Sequence, residues 1–309
     1  MKSAKPILIL FLLLLPFYVS AQNFCTTPSD IPDYLQSISK NQYVSTSTND
    51  VYIVRVYFHI IRKSDGSGGQ TLSEVNNAFN ILQSAYQPHK IFFDLLGISE
   101  IHDNSIYYGM SFASDTNGDG KFDNFSPNSH SDAIDVYLFA NNQLDFGLAA
   151  GIPSSALVLG GNDTWNNFVS SHVLSHEIGH CLGLYHTFHG LCESGCPELV
   201  DGSNCSSCGD YVCDTPADPQ KFKVNYSDCS WTGSTCGLYP TDENGDYYNP
   251  NTALIMAYTP PHCMQYHTSG QASRMKDMMA NSPILQQVSF PVGTITVPSS
   301  VSVCETATL

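Results

Sequence analysis

Basic side chains are scarce in this chain. Twelve lysines and arginines stand against 28 aspartates and glutamates, for a formal charge of −16. That balance excludes a nucleic-acid-binding surface, which needs a net positive face to meet phosphates. Charge of either sign is thin, at 13% of residues, about half the usual share for a soluble domain. Intrinsic disorder is excluded too, because 42% of residues are hydrophobic and 11% aromatic, more than an unfolded chain carries. Internal repeats and low-complexity tracts are absent. Beyond the first apolar run no hydrophobic stretch approaches the ~18 residues of a membrane span.

That first run belongs to a leader. Lys2 and Lys5 precede an apolar stretch from Ile7 to Leu15, and Val19-Ser20-Ala21 supplies small residues before Gln22. This is the pattern of a secretory signal peptide over residues 1–21, with cleavage expected after Ala21. Losing two lysines makes the mature chain more acidic still. The chain also has 11 cysteines, an odd number. At least one must therefore stay unpaired within the chain, in a compartment where disulfides persist.

Residues 22–50 are polar and poorly periodic. Val51 to Ile61 reads as a strand, being rich in β-branched and aromatic residues. After a Gly/Ser turn, Thr71 and Glu74 form a capping-box signature that opens a helix to about Gln87. Leu72, Val75, Phe79 and Leu82 share its apolar stripe, and Pro88 ends it. Lys90 to Ile98 and Ala133 to Ala140 read as further strands, so strand, helix and strand follow in the order of an α/β unit. Ala156 to Leu159 is another short strand, Ser170 to about Gly183 a helix, and Gln271 to Ala280 a closing helix. Between the last two the chain is rich in Cys, Gly, Pro and Asp and has little regular structure. From Pro283 the composition shifts to that of a linker entering a β-rich module.

The chemistry concentrates in Ser175-His-Glu-Ile-Gly-His-Cys-Leu-Gly-Leu-Tyr-His186. On a helix, His176 and His180 share one face a turn apart, so both imidazoles can reach one Zn²⁺. Glu177, between them, is placed to take a proton from a water at the metal rather than to ligate it. Gly183 allows a sharp turn at the helix end, and His186 returns as third ligand. Three nitrogens leave a fourth position open, as a hydrolytic zinc site requires; a structural site usually closes with a fourth side chain.

The whole pattern H-E-x-x-H-x-x-G-x-x-H is that of the metzincin metalloproteases. Thr187-Phe188, Cys213-Asp-Thr-Pro216 and Gly270-Gln-x-x-Arg-Met275 narrow it. From Val51 to Ala280 the chain resembles the pappalysin family, of the cytophagalysin and ulilysin type. The resemblance implies an α/β (α+β) fold: an upper subdomain with a twisted, mostly parallel sheet and two long helices, and an irregular, disulfide-rich lower one, with the active cleft between. It further implies that Met256, in Leu254-Ile-Met-Ala-Tyr258, forms the floor under the histidines, and that Tyr258 donates to the oxyanion. Leu254 and Ala257 depart from that turn's common pattern, where Asn and Asp or Ser are frequent. Upstream, the edge strand around Gly147 to Pro153 is where such enzymes bind extended substrate by β-addition; an ordinary edge strand would look the same.

Two calcium sites are expected. Asp115, Asn117, Asp119 and Asp123 place oxygens at alternate positions around Gly120, as a calcium loop does. Ser126 stands where the closing glutamate belongs, so an acidic surface turn is the alternative. The pappalysin resemblance implies a second site at Asp210 and Thr215, where the sequence alone says only turn. It also implies Cys192–Cys236 and Cys229–Cys263 disulfides, leaving Cys196, Cys205, Cys208 and Cys213 to form two bridges of unassigned pairing. Cys181 is a buried thiol, and Cys304 lies in the C-terminal stretch. By resemblance to related proenzymes Cys25 is a candidate latency switch, its thiolate closing the open zinc position; a disulfide or an unconstrained thiol is the alternative.

The sequence therefore predicts a secreted zinc endopeptidase, monomeric, with one Zn²⁺ and structural Ca²⁺, acting on protein or peptide substrates. Residues 1–21 are the leader, 22–50 a short N-terminal segment and candidate latency segment, 51–285 the catalytic domain, and 286–309 the linker and the start of a further module. The competing readings are a calcium-dependent adhesion module on a protease-like fold and a hydrolase of non-peptide substrates. The first would be favoured by loss of Glu177 or a histidine, and all four residues are present.

Overall fold

A β-branched and aromatic run makes an inner strand of one sheet, β1 (Val51–Arg62). The structure, a computed structural model, describes residues 50–109, 115, 117–140, 147–160, 169–221, 223–236 and 240–292. The expected leader at residues 1–21, Cys25 and Cys304 lie outside the described residues. Along β1 the even positions Val54, Val56, Phe58 and Ile60 are buried on one face. Helix α1 (Leu72–Tyr86) covers that face. Its capping box forms as predicted: the Thr71 hydroxyl accepts from Glu74 N–H at 3.2 Å, and Glu74 accepts from Thr71 N–H at 2.7 Å.

The buried stripe differs from the predicted one at its start. Leu72, the first helical residue, is 58% exposed, and burial begins a turn later with Val75, Ala78 and Leu82. The helix ends at Tyr86, Pro88 lies in the short 3₁₀ turn that follows, and β2 (Ile91–His102) then pairs parallel with β1. A short helix, α2 (Asn104–Gly109), follows.

Strands β3 (Ile134–Leu138), β4 (Gly147–Ala149) and β5 (Ala156–Leu159) complete the order β2-β1-β3-β5-β4. All neighbours in it are parallel except β4, which lies antiparallel to β5 at the end of the sheet. Two apolar layers result. One joins β1 and α1 to helix α3 (Val173–Cys181) and helix α4 (Ser269–Asn281). The other, on the opposite face, is built from Ile61, Phe122, Phe125, Tyr137 and Phe139.

Past α4 the chain does not leave the domain at once. A single-turn helix α5 (Leu285–Val288) leads into β6 (Ser289–Val292), which pairs antiparallel with the start of β1. Residues from 286, where the sequence suggests a linker, thus still belong to this sheet as far as Val292.

Among the described residues, the segment between α3 and α4 has no helix or strand beyond isolated β-bridges. Four disulfides staple it: Cys192–Cys236, Cys196–Cys208, Cys205–Cys213 and Cys229–Cys263. The first and last are the pairs implied by the family resemblance, and the middle two settle the pairing that the sequence leaves open. Cys181 is a free, buried thiol, its pKa pushed up to about 12 by burial. Among the described residues no helix is long and apolar enough to cross a membrane.

Candidate metal centre

Helix α3 carries His176 and His180, both fully buried. Its position is set from α1, where the buried Tyr86 hydroxyl donates to Ser175 C=O at 2.7 Å. The chain leaves α3 at Leu182 and reverses at Gly183, whose φ of +96° lies in the left-handed region. A side chain there would also meet Met278 Cγ at 2.6 Å, so glycine is needed on two counts. Arg274 Nε, from α4, donates to Gly183 C=O at 2.8 Å and holds the reversal. His186 thereby returns to the helix face.

The three rings meet through one atom each. His180 Nε2 lies 3.1 Å from His176 Nε2 and 3.1 Å from His186 Nε2. These contacts are not hydrogen bonds, as the opposite nitrogens show. His176 Nδ1 donates to Ile255 C=O at 2.6 Å, His180 Nδ1 to Leu184 C=O at 2.8 Å, and His186 Nδ1 to the Glu193 carboxylate at 2.9 Å. Carbonyl and carboxylate oxygens only accept, so each Nδ1 carries the proton and each Nε2 presents a lone pair. Burial, then repulsion from the neighbouring rings, holds His176 and His180 neutral, with pKa values well below the ordinary histidine value.

Three buried lone pairs facing one another are a cation site. Tetrahedral ligation at about 2.0–2.1 Å would set the nitrogens roughly 3.3 Å apart, close to the spacing present. The residues fit a metal.

Beneath the rings lies Met256, fully buried. A side chain at Gly179 would meet its sulfur at 2.5 Å, which accounts for the glycine between the two helical histidines. The Met256 turn is fixed by Ile255 N–H to Tyr266 C=O at 3.0 Å and Thr187 N–H to Met256 C=O at 3.2 Å. Tyr258, on the same turn, stands edge-on to His186 with ring centroids 4.6 Å apart.

Glu177 is fully buried on α3 and lies against β4. A side chain at Gly147 would come within 2.6 Å of its Cγ. Two residues here escaped the sequence reading. Glu193 orients His186, and Lys221 stands 5.5 Å from the Tyr258 ring centroid and 3.9 Å from the Glu193 carboxylate. Burial pushes Glu193 up, but His186, hydrogen bonds from His186 and His189, and Lys221 outweigh it and hold the carboxyl low. No motif spacing marks either residue.

Comparison with known proteins decides the family. Residues 155–280 match the peptidase M43 model described as pregnancy-associated plasma protein-A. An extracellular metalloprotease of Arthroderma otae is 30% identical over 247 residues, covering 73% of this chain and 78% of that protein. The chain belongs to the pappalysin family of metalloproteases. An extracellular metalloprotease of Neurospora crassa is 29% identical over 242 residues, 72% of this chain and 73% of that protein. A solved structure of mirolysin in complex with a compound is 16% identical, with a TM-score of 0.48, covering 78% of this chain and 96% of that one. A pappalysin carries a catalytic metal, and His176, His180 and His186 form the three-histidine group that can hold it.

The other expected ligands are placed as follows. Asp115 accepts from the N–H groups of Gly118, Asp119 and Gly120, and Asn117 from that of Asp119. Asp123 opens the following 3₁₀ turn. Among the described residues these side chains do not form one of the tight clusters of three or more possible ligands. Asp210 and Thr215 do meet, the Thr215 hydroxyl donating to Asp210 Oδ1 at 2.9 Å.

Glu198, unmarked by the sequence, packs against the adjacent Gly209. Glu198 Oε2 and Asp210 Oδ2 are buried without a hydrogen-bond partner. Burial first, then the charges of Asp210 and Asp218, pushes Glu198 up to about 8. Burial raises Asp210 to about 7 against the hydrogen bonds from Thr215 and Val212.

Two outcomes follow. Gly147→Ala drives a methyl group into Glu177, so peptidase activity on casein should fall at least tenfold while the metal content, by atomic emission, stays unchanged. Carboxyls with raised folded pKa values stabilise the fold while protonated and cost stability as the pH rises through those values. In calcium-free buffer, Glu198→Gln should therefore melt a few degrees above the parent at pH 8.5, and the two should converge near pH 4, as read by scanning calorimetry.

Proposed function

We propose that the chain is an exported zinc endopeptidase that cleaves extracellular proteins, with Glu177 as general base and Tyr258 as oxyanion donor. The observation that carries this reading is the trio of imidazole lone pairs 3.1 Å apart, each ring locked from behind by an oxygen acceptor. Their all-nitrogen, three-ligand character suits Zn²⁺ with one position left open. Bound there, the ion would supply Lewis acidity, acidifying a water and polarising the scissile carbonyl.

The chain's own groups supply the rest. Glu177 takes the water's proton and delivers it to the leaving amine, two transfers by one carboxylate. The Tyr258 phenol donates to the carbonyl oxygen as charge develops on it. Strand β4 ends the sheet with its backbone against Glu177, so an extended peptide added to that edge passes directly over the proton acceptor. The Arthroderma and Neurospora relatives are named extracellular metalloproteases, which supports export, as does the leader at residues 1–21.

Calcium has a natural place at Glu198 and Asp210. Two buried, unpartnered carboxylate oxygens repel each other until a hard cation takes both. The ion would brace the loop that carries Asp214. That carboxylate accepts from the Thr268 and Ser269 hydroxyls at 2.6 and 2.9 Å and from Gly270 N–H at 2.7 Å, holding the start of α4. Cys25, ahead of the catalytic domain, would hold latency by placing its thiolate at the open metal position.

The test is casein hydrolysis by the mature protein with and without 1,10-phenanthroline. Activity should vanish with chelator and return with Zn²⁺. Glu177→Gln should lower kcat roughly 10²–10⁴-fold with zinc retained, and Tyr258→Phe about 10²-fold with KM little changed. An active Glu177→Gln protein would refute the mechanism. For latency, the unprocessed Cys25→Ala protein should cleave casein at the rate of the mature enzyme; equal inactivity of variant and parent would remove the switch.

A further inference from the structure

On the sheet face opposite α3, two histidines converge on one buried aspartate. His59, on β1, and Asp135, on β3, are almost wholly buried, while the His130 side chain, just before β3, is 32% exposed. His59 Nε2 lies 2.9 Å from Asp135 Oδ1, and His130 Nδ1 lies 2.7 Å from the same oxygen. The second carboxylate oxygen accepts His130 N–H at 2.8 Å. These two imidazoles and one amide are the hydrogen-bond partners of the Asp135 carboxylate among the described residues.

The rings are held from behind. His59 Nδ1 is 3.0 Å from Ser99 Oγ on β2, and the ring stacks on Tyr137 at 4.6 Å. His130 stacks on Tyr57 at 3.8 Å and 22°. Tyr57 can lie across β2 because its neighbour there is Gly97, where a side chain would meet Tyr57 Cε2 at 2.7 Å. Two strands and a loop thus aim one donor atom each, two imidazole nitrogens and a carboxylate oxygen, into a space where all three lie within 4.8 Å.

We propose that His59, His130 and Asp135 form a second metal site, binding one divalent transition ion of the Zn²⁺ class. Two neutral imidazoles and a monodentate carboxylate are a borderline-soft donor set suited to such ions, and water would complete the shell at the exposed His130 side. Ser99 and the His130 amide are the outer partners that such ligands usually have. The proton count balances without loss from neutral rings. Each imidazole now donates its proton to Asp135 Oδ1. On binding, the His59 proton moves to Nδ1, where Ser99 Oγ accepts it, and the His130 proton moves to Nε2 of its half-buried ring. The contacts open by a few tenths of an ångström, to the ~3.3 Å of ligands around zinc. The site stands apart from the catalytic histidines and does not rest on the reading of their activity.

The test is zinc stoichiometry. The mature protein is dialysed into zinc-buffered solution that keeps the catalytic histidines loaded, and bound metal is counted by atomic emission. The parent should hold two zinc ions per chain. His130→Phe, which keeps an aromatic ring on Tyr57 but loses the ligand, should hold one and keep its casein activity. His180→Ala, impaired at the catalytic histidines, should still hold the ion that the added His130→Phe change removes. Equal zinc in the parent and His130→Phe overturns the proposal. Should His130→Phe fail to fold, Co²⁺-loaded parent titrated with a competing chelator decides: release in two one-ion steps supports the site, and release of a single ion overturns it.

Discussion

The catalytic half of the molecule depends on which nitrogen of each histidine carries the proton. Three acceptor oxygens, from Ile255, Leu184 and Glu193, claim the Nδ1 protons, and that choice turns three lone pairs inward. Each acceptor comes from a different neighbourhood: the Met256 turn, the Gly183 reversal and the stapled loop. The centre is therefore assembled only when all three are docked. The fold around it can be understood as the means of bringing those oxygens to their places. Burial reinforces the choice, because an imidazolium in that interior would face both desolvation and its neighbours.

The sheet contributes by separating two chemistries. Alternation along β1 sends Val54, Val56, Phe58 and Ile60 toward α1 and α3, and Tyr57, His59 and Ile61 the other way. One face is an apolar bed for the metal helix; the other buries a polar cluster among aromatic rings. Strand β4 belongs to both stories, since it ends the sheet and touches Glu177.

Legibility in the sequence follows the range of the contacts. His176, Glu177 and His180 are readable because helix periodicity alone fixes their relation, and His186 because Gly183 permits only a tight return. The capping box at Thr71 and Glu74 is likewise local. Leu72 lies on the apolar stripe yet outside the core, because a stripe says which face is buried, not where the covering layer begins. Glu193, Lys221 and Glu198 sit in a segment without periodicity, where position is set by disulfides and tertiary packing. The Cys196–Cys208 and Cys205–Cys213 pairings were open for the same reason. His59 reads as one more strand residue until β3 brings Asp135 alongside, a contact 76 residues away in the chain.

The overlap of two disulfides has a consequence for survival among proteases. Cys192–Cys236 and Cys229–Cys263 overlap along the chain. A single cut at any peptide bond from Cys192 to Cys263 therefore leaves the two fragments covalently joined. The loop region can be nicked, by a neighbour or by another copy of the enzyme, without shedding either the histidines upstream or α4 downstream.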